Sequence, residues 1–175
     1  MLDLLIKFFV HKTKGHITKL QLVKFLYMAD LYSVKWTGKQ LTDLDWYYYL
    51  RGPWHEDIDA ALERMNGKDI FLQKHESYTL VGIGSEVINV EELELPQSLQ
   101  LMLDNIRREW AGSGQEKMNQ LLSYVYSTAP MLEVKDGGFY FFSCLFLLEP
   151  RLVRFSRVTL LVYGTVIQVE VRNVG

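Results

Sequence analysis

A chain of 175 residues with 49% hydrophobic and 23% charged residues can bury one sizeable core or two small ones, and it is too apolar for a disordered protein. Its formal net charge of −2 argues against a uniformly basic nucleic-acid coat, although it leaves room for a local basic patch. The single cysteine, Cys144, excludes an intrachain disulfide and the zinc patterns built on several thiolates, and it fits a reducing compartment.

The N-terminal run is unlike a signal peptide, because Asp3 stands where positive charge is wanted and Lys7 breaks the apolar stretch. The longest apolar run, from Phe139 to Leu148, falls well short of the ~20 residues a membrane helix needs. A cytoplasmic protein with no membrane span is expected. Leu2, Leu5, Ile6, Phe9 and Val10 recur at helical spacing, and Lys14-Gly15 is a natural stop. His11 and His16 flank that turn but lack a carboxylate or cysteine at ligand spacing, so no metal site is expected there. Lys7, Lys12, Lys14, Lys19 and Lys24 make this part locally basic.

The stretch from Thr18 to Ser33 reads as the helical spine of the core. Thr18 and Gln21 form a capping-box pair, and Ile17 and Leu22 stand at the spacing of a hydrophobic staple. Leu22, Phe25, Leu26, Ala29 and Tyr32 fall on one face, with Lys19 and Lys24 away from it. Gly38 ends the helix in a loop. The aromatic stretch from Leu44 to Leu50 is expected to lie extended across the helices, and Pro53 is expected at the first position of the next helix. That helix carries Glu56 and Asp57 in its first turn, buries Ile58, Ala61, Leu62 and Met65, and ends at Asn66-Gly67.

Two strand-like runs, Ile70 to Gln73 and Tyr78 to Ile83, bracket a polar turn and predict a β-hairpin near 69–83. Two helices follow. One opens at Pro96-Gln97-Ser98 and carries Leu99, Met102, Leu103, Ile106 and Trp110; the other runs from Gln115 to Ser127 and stops at Pro130. The short Gly/Ser loop between them predicts an antiparallel helical hairpin. From Gly137 the pattern becomes strand-like, with period-two alternation from Thr165 to Arg172. The fold class is therefore α+β and predominantly α-helical: winged-helix-like helices plus a β-hairpin, a helical hairpin and a C-terminal β-rich tail. The expected division is a helical domain over 1–134 and a β-rich extension over 135–175, packed on the domain or used for homo-oligomer association.

No nucleophile elbow, phosphate loop, dinucleotide fingerprint or His-Glu-x-x-His helix is present, so no enzyme and no cofactor are expected. Gly82-Ile-Gly84 reads as loop chemistry and Cys144 as an inert core thiol, while Glu56, Asp57, Glu91, Glu92 and Glu94 read as dipole compensation and solubility. Aromatic residues with an arginine are the usual anchors of protein interfaces. Trp36, Trp46, Tyr47, Tyr48, Tyr49 and Trp54 cluster in sequence around Arg51-Gly52-Pro53, and those not taken by the core are expected to rim a groove for a protein partner. The competing reading is a winged-helix DNA-binding regulator, with the Trp54 to Met65 helix in the major groove. It is the weaker, because that helix carries Glu56, Asp57, Asp59 and Glu63 against Arg64 alone.

The run from Thr18 to Asp30, then Thr37-Gly38 with Leu41-Thr42, then Tyr49-Leu-Arg-Gly52-Pro53-Trp54, resembles the Panacea domain of SocA-like antitoxins and phage-associated proteins. Leu121 to Pro130 is similar to the helix near that domain's end, and the resemblance covers about residues 5 to 134. It implies a helical domain without known catalytic residues that neutralises a toxin or delivers it to a protease, hence a toxin-like protein partner. Tyr27, Asp30, Trp36, Tyr49, Arg51 and Trp54 are the candidate partner-binding residues. The chain departs from the family pattern at Leu50-Arg51, where a single tyrosine is usual, and in its β-rich tail.

Overall fold

The computed structural model describes residues 1–49, 51–86 and 93–133, and the backbone of three further strands at 139–140, 158–162 and 165–169. Leu50, Glu91, Glu92 and Cys144 lie outside the described residues, as do the side chains of Tyr48 and Tyr49.

Helix α1 (Leu2–Lys12) buries Leu5, Ile6, Phe8, Phe9 and Val10, with Asp3 in its first turn and Lys12 in its last, as the helix dipole favours. It ends where Lys14 and Gly15 turn left-handed, at φ 55° and 71°. Strand β1 (Ile17–Thr18) follows, then helix α2 (Lys19–Thr37), which Gly38 closes at φ 74° by donating to the Val34 carbonyl. Thr18 caps α2 as its sequence predicts, accepting from the Gln21 N–H at 3.2 Å. The other half of the capping box does not form, because the Gln21 side chain reaches the Trp110 carbonyl instead, at 2.9 Å.

The structure corrects the amphipathic reading of α2. Every residue from Gln21 to Leu31 is buried, so the helix is a core helix covered on all sides and not one with a solvated face. Lys24, assigned by pattern to the outside, is 1% exposed. Helices α1, α4 (Gln97–Trp110) and α5 (Gln115–Tyr126) all seat on α2. Helices α4 and α5 therefore both pack on the spine, and they meet each other where Trp110 stacks on Tyr124. Pro130 is buried within the short helix α6 (Ala129–Glu133), whose start lies beyond the end of α5.

Strands β2 (Trp46–Tyr49) and β3 (Gly52–Trp54) pair antiparallel, with Tyr47 opposite Trp54 and Tyr49 opposite Gly52. Pro53 is thus in a strand and not at a helix start; β3 is the outer strand of its sheet, where a missing N–H is tolerated. Helix α3 (Glu56–Met65) begins two residues later, capped by His55 Nδ1, which accepts from the Asp57 N–H at 3.1 Å. Strands β4 (Ile70–Lys74) and β5 (Thr79–Ile83) form the hairpin, and β1 adds to β5 to give a sheet ordered β1-β5-β4. At its base Gly84 passes so close to the backbone of Lys68 to Ile70 that a Cβ would lie 2.0 Å from the Lys68 carbonyl oxygen, which accounts for the glycine. Strand β6 (Phe139–Tyr140) pairs with β2, and β7 (Val158–Val162) with β8 (Thr165–Val169), both antiparallel. The protein is accordingly α+β and mostly helical, with small antiparallel sheets.

Candidate functional site

The residues that carry the sequence motif lie on α2, and the structure turns most of them inward. Gln21, Lys24, Tyr27, Asp30 and Ser33 recur at every third position of a helix whose other residues are largely apolar. Residues three apart are neighbours on a helix surface, so this is a polar ridge crossing the core. Each member holds a different part of the chain. Gln21 donates to the carbonyls of Trp110 and Gly112, at the turn between α4 and α5. Lys24 Nζ donates to the Pro53 carbonyl in β3 at 2.8 Å. The Tyr27 and Thr128 hydroxyls lie 2.7 Å apart, and because Thr128 itself donates to the Val125 carbonyl, Tyr27 is the donor. Ser33 donates to the Lys39 carbonyl at 2.8 Å.

Asp30 is the most heavily engaged. One carboxylate oxygen accepts from the backbone N–H groups of Leu41 and Thr42, at 3.0 and 2.9 Å. The other accepts from Gln40 Nε2 and Trp46 Nε1, both at 3.0 Å, and from the Thr42 hydroxyl. A fully buried carboxylate therefore organises the loop between α2 and β2, and Trp46 also packs edge-on against Tyr27. Burial pushes the Asp30 carboxyl above the usual carboxylate range, while the Thr42, Trp46 and Gln40 hydrogen bonds pull it the other way. Burial lowers the Lys24 ammonium from 10.5 to about 7. Gly52 is fitted to that lysine: its φ is +88°, and a Cβ there would meet Lys24 Cε at 3.2 Å.

The candidate partner-binding residues divide accordingly. Tyr27 and Asp30 both lie against Trp46 with no surface exposure, so neither presents its side chain to a partner in this structure. Trp36 is 68% exposed at the far end of α2 and stacks on Tyr32. Arg51 is exposed, and Trp54, half-buried, faces Tyr47 across the β2–β3 pair. Tyr47 also packs its ring 5.4 Å from that of His55. Tyr49 pairs with Gly52 through its backbone. Reading the pattern by apolar spacing missed Lys24 and Gln21; the signal that could have found them is the period-three recurrence of polar residues in an otherwise apolar helix.

The basic character of the first segment is largely consumed internally. Lys7 pairs with Asp69 at 2.6 Å, Lys19 pairs with Asp59 at 2.8 Å, and Lys24 is buried. Among the described residues, no group of three or more His, Cys, Asp or Glu side chains is placed to hold a metal ion, and no helix is long and apolar enough to cross a membrane.

Comparison with known families places the motif in context. Residues 22–129 match the family model described as antitoxin SocA-like, Panacea domain. No curated protein and no solved structure matches the chain. The matched segment runs from the first buried turns of α2 to the start of α6, so it takes in Lys24, Asp30, the loop that Asp30 holds and the β2–β3 turn. With well over half of its length inside that match and the motif residues serving as its internal braces, the chain belongs to the SocA-like antitoxin, Panacea-domain family.

Proposed function

We propose that this protein is a non-enzymatic interaction module of antitoxin type, acting in the cytoplasm by holding a toxin-like protein partner and either neutralising it or delivering it onward. The observation that carries the reading is the match to a family described as antitoxin SocA-like over residues 22–129. The chemistry of the motif supports it. Lys24 and Asp30, the buried charged residues of the spine, are spent inside as hydrogen-bonding braces. What the braced segments offer outward is an arginine with aromatic rings, Arg51 beside Trp54 and, at the end of α2, Trp36.

The DNA-binding alternative has less behind it. The exposed positions of α3 include Glu56, Asp57 and Glu63, and its Arg64 is paired with Asp3 at 2.7 Å. Phosphate-dominated affinity needs the opposite sign. Anisotropy titration against random duplex at low salt is expected to show no salt-dependent binding.

The direct test is to sequence the genes flanking the coding region and to coexpress the protein with the product of a small toxin-like open reading frame found there. The expected result is relief of that product's toxicity together with a complex that survives size-exclusion chromatography. Unrelieved toxicity with no complex would overturn the antitoxin reading.

A further inference from the structure

A second surface lies where α2, α4 and α5 meet. Trp36 stacks on Tyr32 with ring centroids 6.2 Å apart, and Tyr124 stacks on Trp110 at 4.8 Å. The two stacks are joined through the Tyr32 and Tyr124 hydroxyls, 2.6 Å apart. A lysine stands at each half: Lys35 Nζ is 6.0 Å from the centre of the Tyr32 ring, and Lys117 Nζ is 5.4 Å from that of Trp110. The inner edges of Tyr32, Tyr124 and Trp110 pack on the core, and each keeps part of its surface in solvent, while Trp36 is largely exposed.

Two features give this strip a preference. Of two hydroxyls that share one hydrogen bond, the acceptor keeps its own proton for a third atom, so the centre of the strip can donate. Burial, with the hydrogen bond to Tyr124 adding to it, pushes the Tyr32 hydroxyl well above its usual range and keeps it protonated. Two ammonium groups, Lys35 and Lys117, stand over rings of the strip, and Glu109 is the carboxylate whose charge bears on Tyr32. A ring ladder with a central donor and flanking cations complements a segment that alternates carboxylates with apolar side chains.

We propose that this ladder is a docking strip for an acidic, apolar-bearing extended segment of a protein partner, its rings taking the apolar side chains and its lysines and free hydroxyl proton taking the carboxylates. The proposal rests on the protein-binding reading for its natural occupant, but its test does not. The probe is a blocked synthetic peptide alternating glutamate with leucine and phenylalanine, titrated while tryptophan emission is followed; the control carries lysine in place of glutamate. The expected result is a saturable emission change with the acidic peptide alone, weakened by salt. Lys35→Glu combined with Lys117→Glu is expected to weaken it by about tenfold or more and to confer binding of the lysine peptide. Trp36→Ala, at an exposed position that the fold does not need, is a second variant expected to weaken binding with an unchanged circular dichroism spectrum. No saturable response from the parent, equal responses to the two peptides, or full affinity in these variants would overturn the strip. Any of those outcomes would leave the antitoxin proposal to its own coexpression test.

Discussion

Asp30 illustrates how much a single side chain fixes here. Five donors converge on its carboxylate, two of them backbone N–H groups in the loop that leads into β2. Asp30→Ala would strand those donors in the interior, and unsatisfied buried groups cost about 1–3 kcal/mol each before relaxation or water entry offsets some of it. A loss of about 3–5 kcal/mol in urea unfolding is expected. Lys24 makes a different prediction. The folded state holds its ammonium at about 7 against 10.5 in the unfolded chain. Between those values the unfolded chain binds a proton that the folded chain has released, so stability rises with pH across the window, and below it the penalty of burying the charge is felt in full. Lys24→Met is expected to flatten the rise in stability between about pH 7 and pH 9, read from urea unfolding at a series of pH values.

At the scale of elements, α2 decides much of the fold because α1, α4, α5, β1, β3 and β5 are assembled on it. Phe25 and Leu26 lie fully buried at its middle, with Phe25 edge-on to Phe9 of α1 at 5.2 Å. Phe25→Ala or Leu26→Ala is expected to cost about 2–5 kcal/mol, and a thermal midpoint equal to the parent's would mean that the buried face is misassigned. Much of this arrangement is legible in the residues. The capping threonine, Gly38, the acidic first turn of α3 and the apolar repeats of α4 and α5 act over one or two turns, and the structure bears them out. What is not legible depends on partners far along the chain. Lys24 looks like a surface lysine until Pro53, 29 positions later, brings a carbonyl to it. Gln21 completes a capping box by local rules, yet a carbonyl 89 residues away takes its amide. Pro53 satisfies the rule for a helix start, and a sheet edge satisfies the same lack of an N–H equally well. The candidate surface was legible as a set of residue types and not as a set of positions. Trp36 and Arg51 are exposed as a binding rim requires, whereas Tyr27 and Asp30 carry the motif from below.

Taken whole, the molecule separates two roles. The polar ridge of α2 holds the 40–46 loop, the β2–β3 pair and the end of α5 in place, and under the proposed function the partner is met by the rings and the arginine that those segments carry outward. The division predicts that affinity and stability can be changed independently. Calorimetric titration of the toxin-like partner into three proteins measures this directly: the parent, Arg51→Ala with Trp54→Ala, and Lys24→Met. The account predicts that the surface pair loses about a hundredfold or more in affinity while keeping its thermal midpoint, a loss of about 2.7 kcal/mol, and that Lys24→Met shifts the midpoint while binding as the parent does. A surface variant that binds with parental affinity, or a Lys24→Met protein that stays folded and loses the partner, would contradict it.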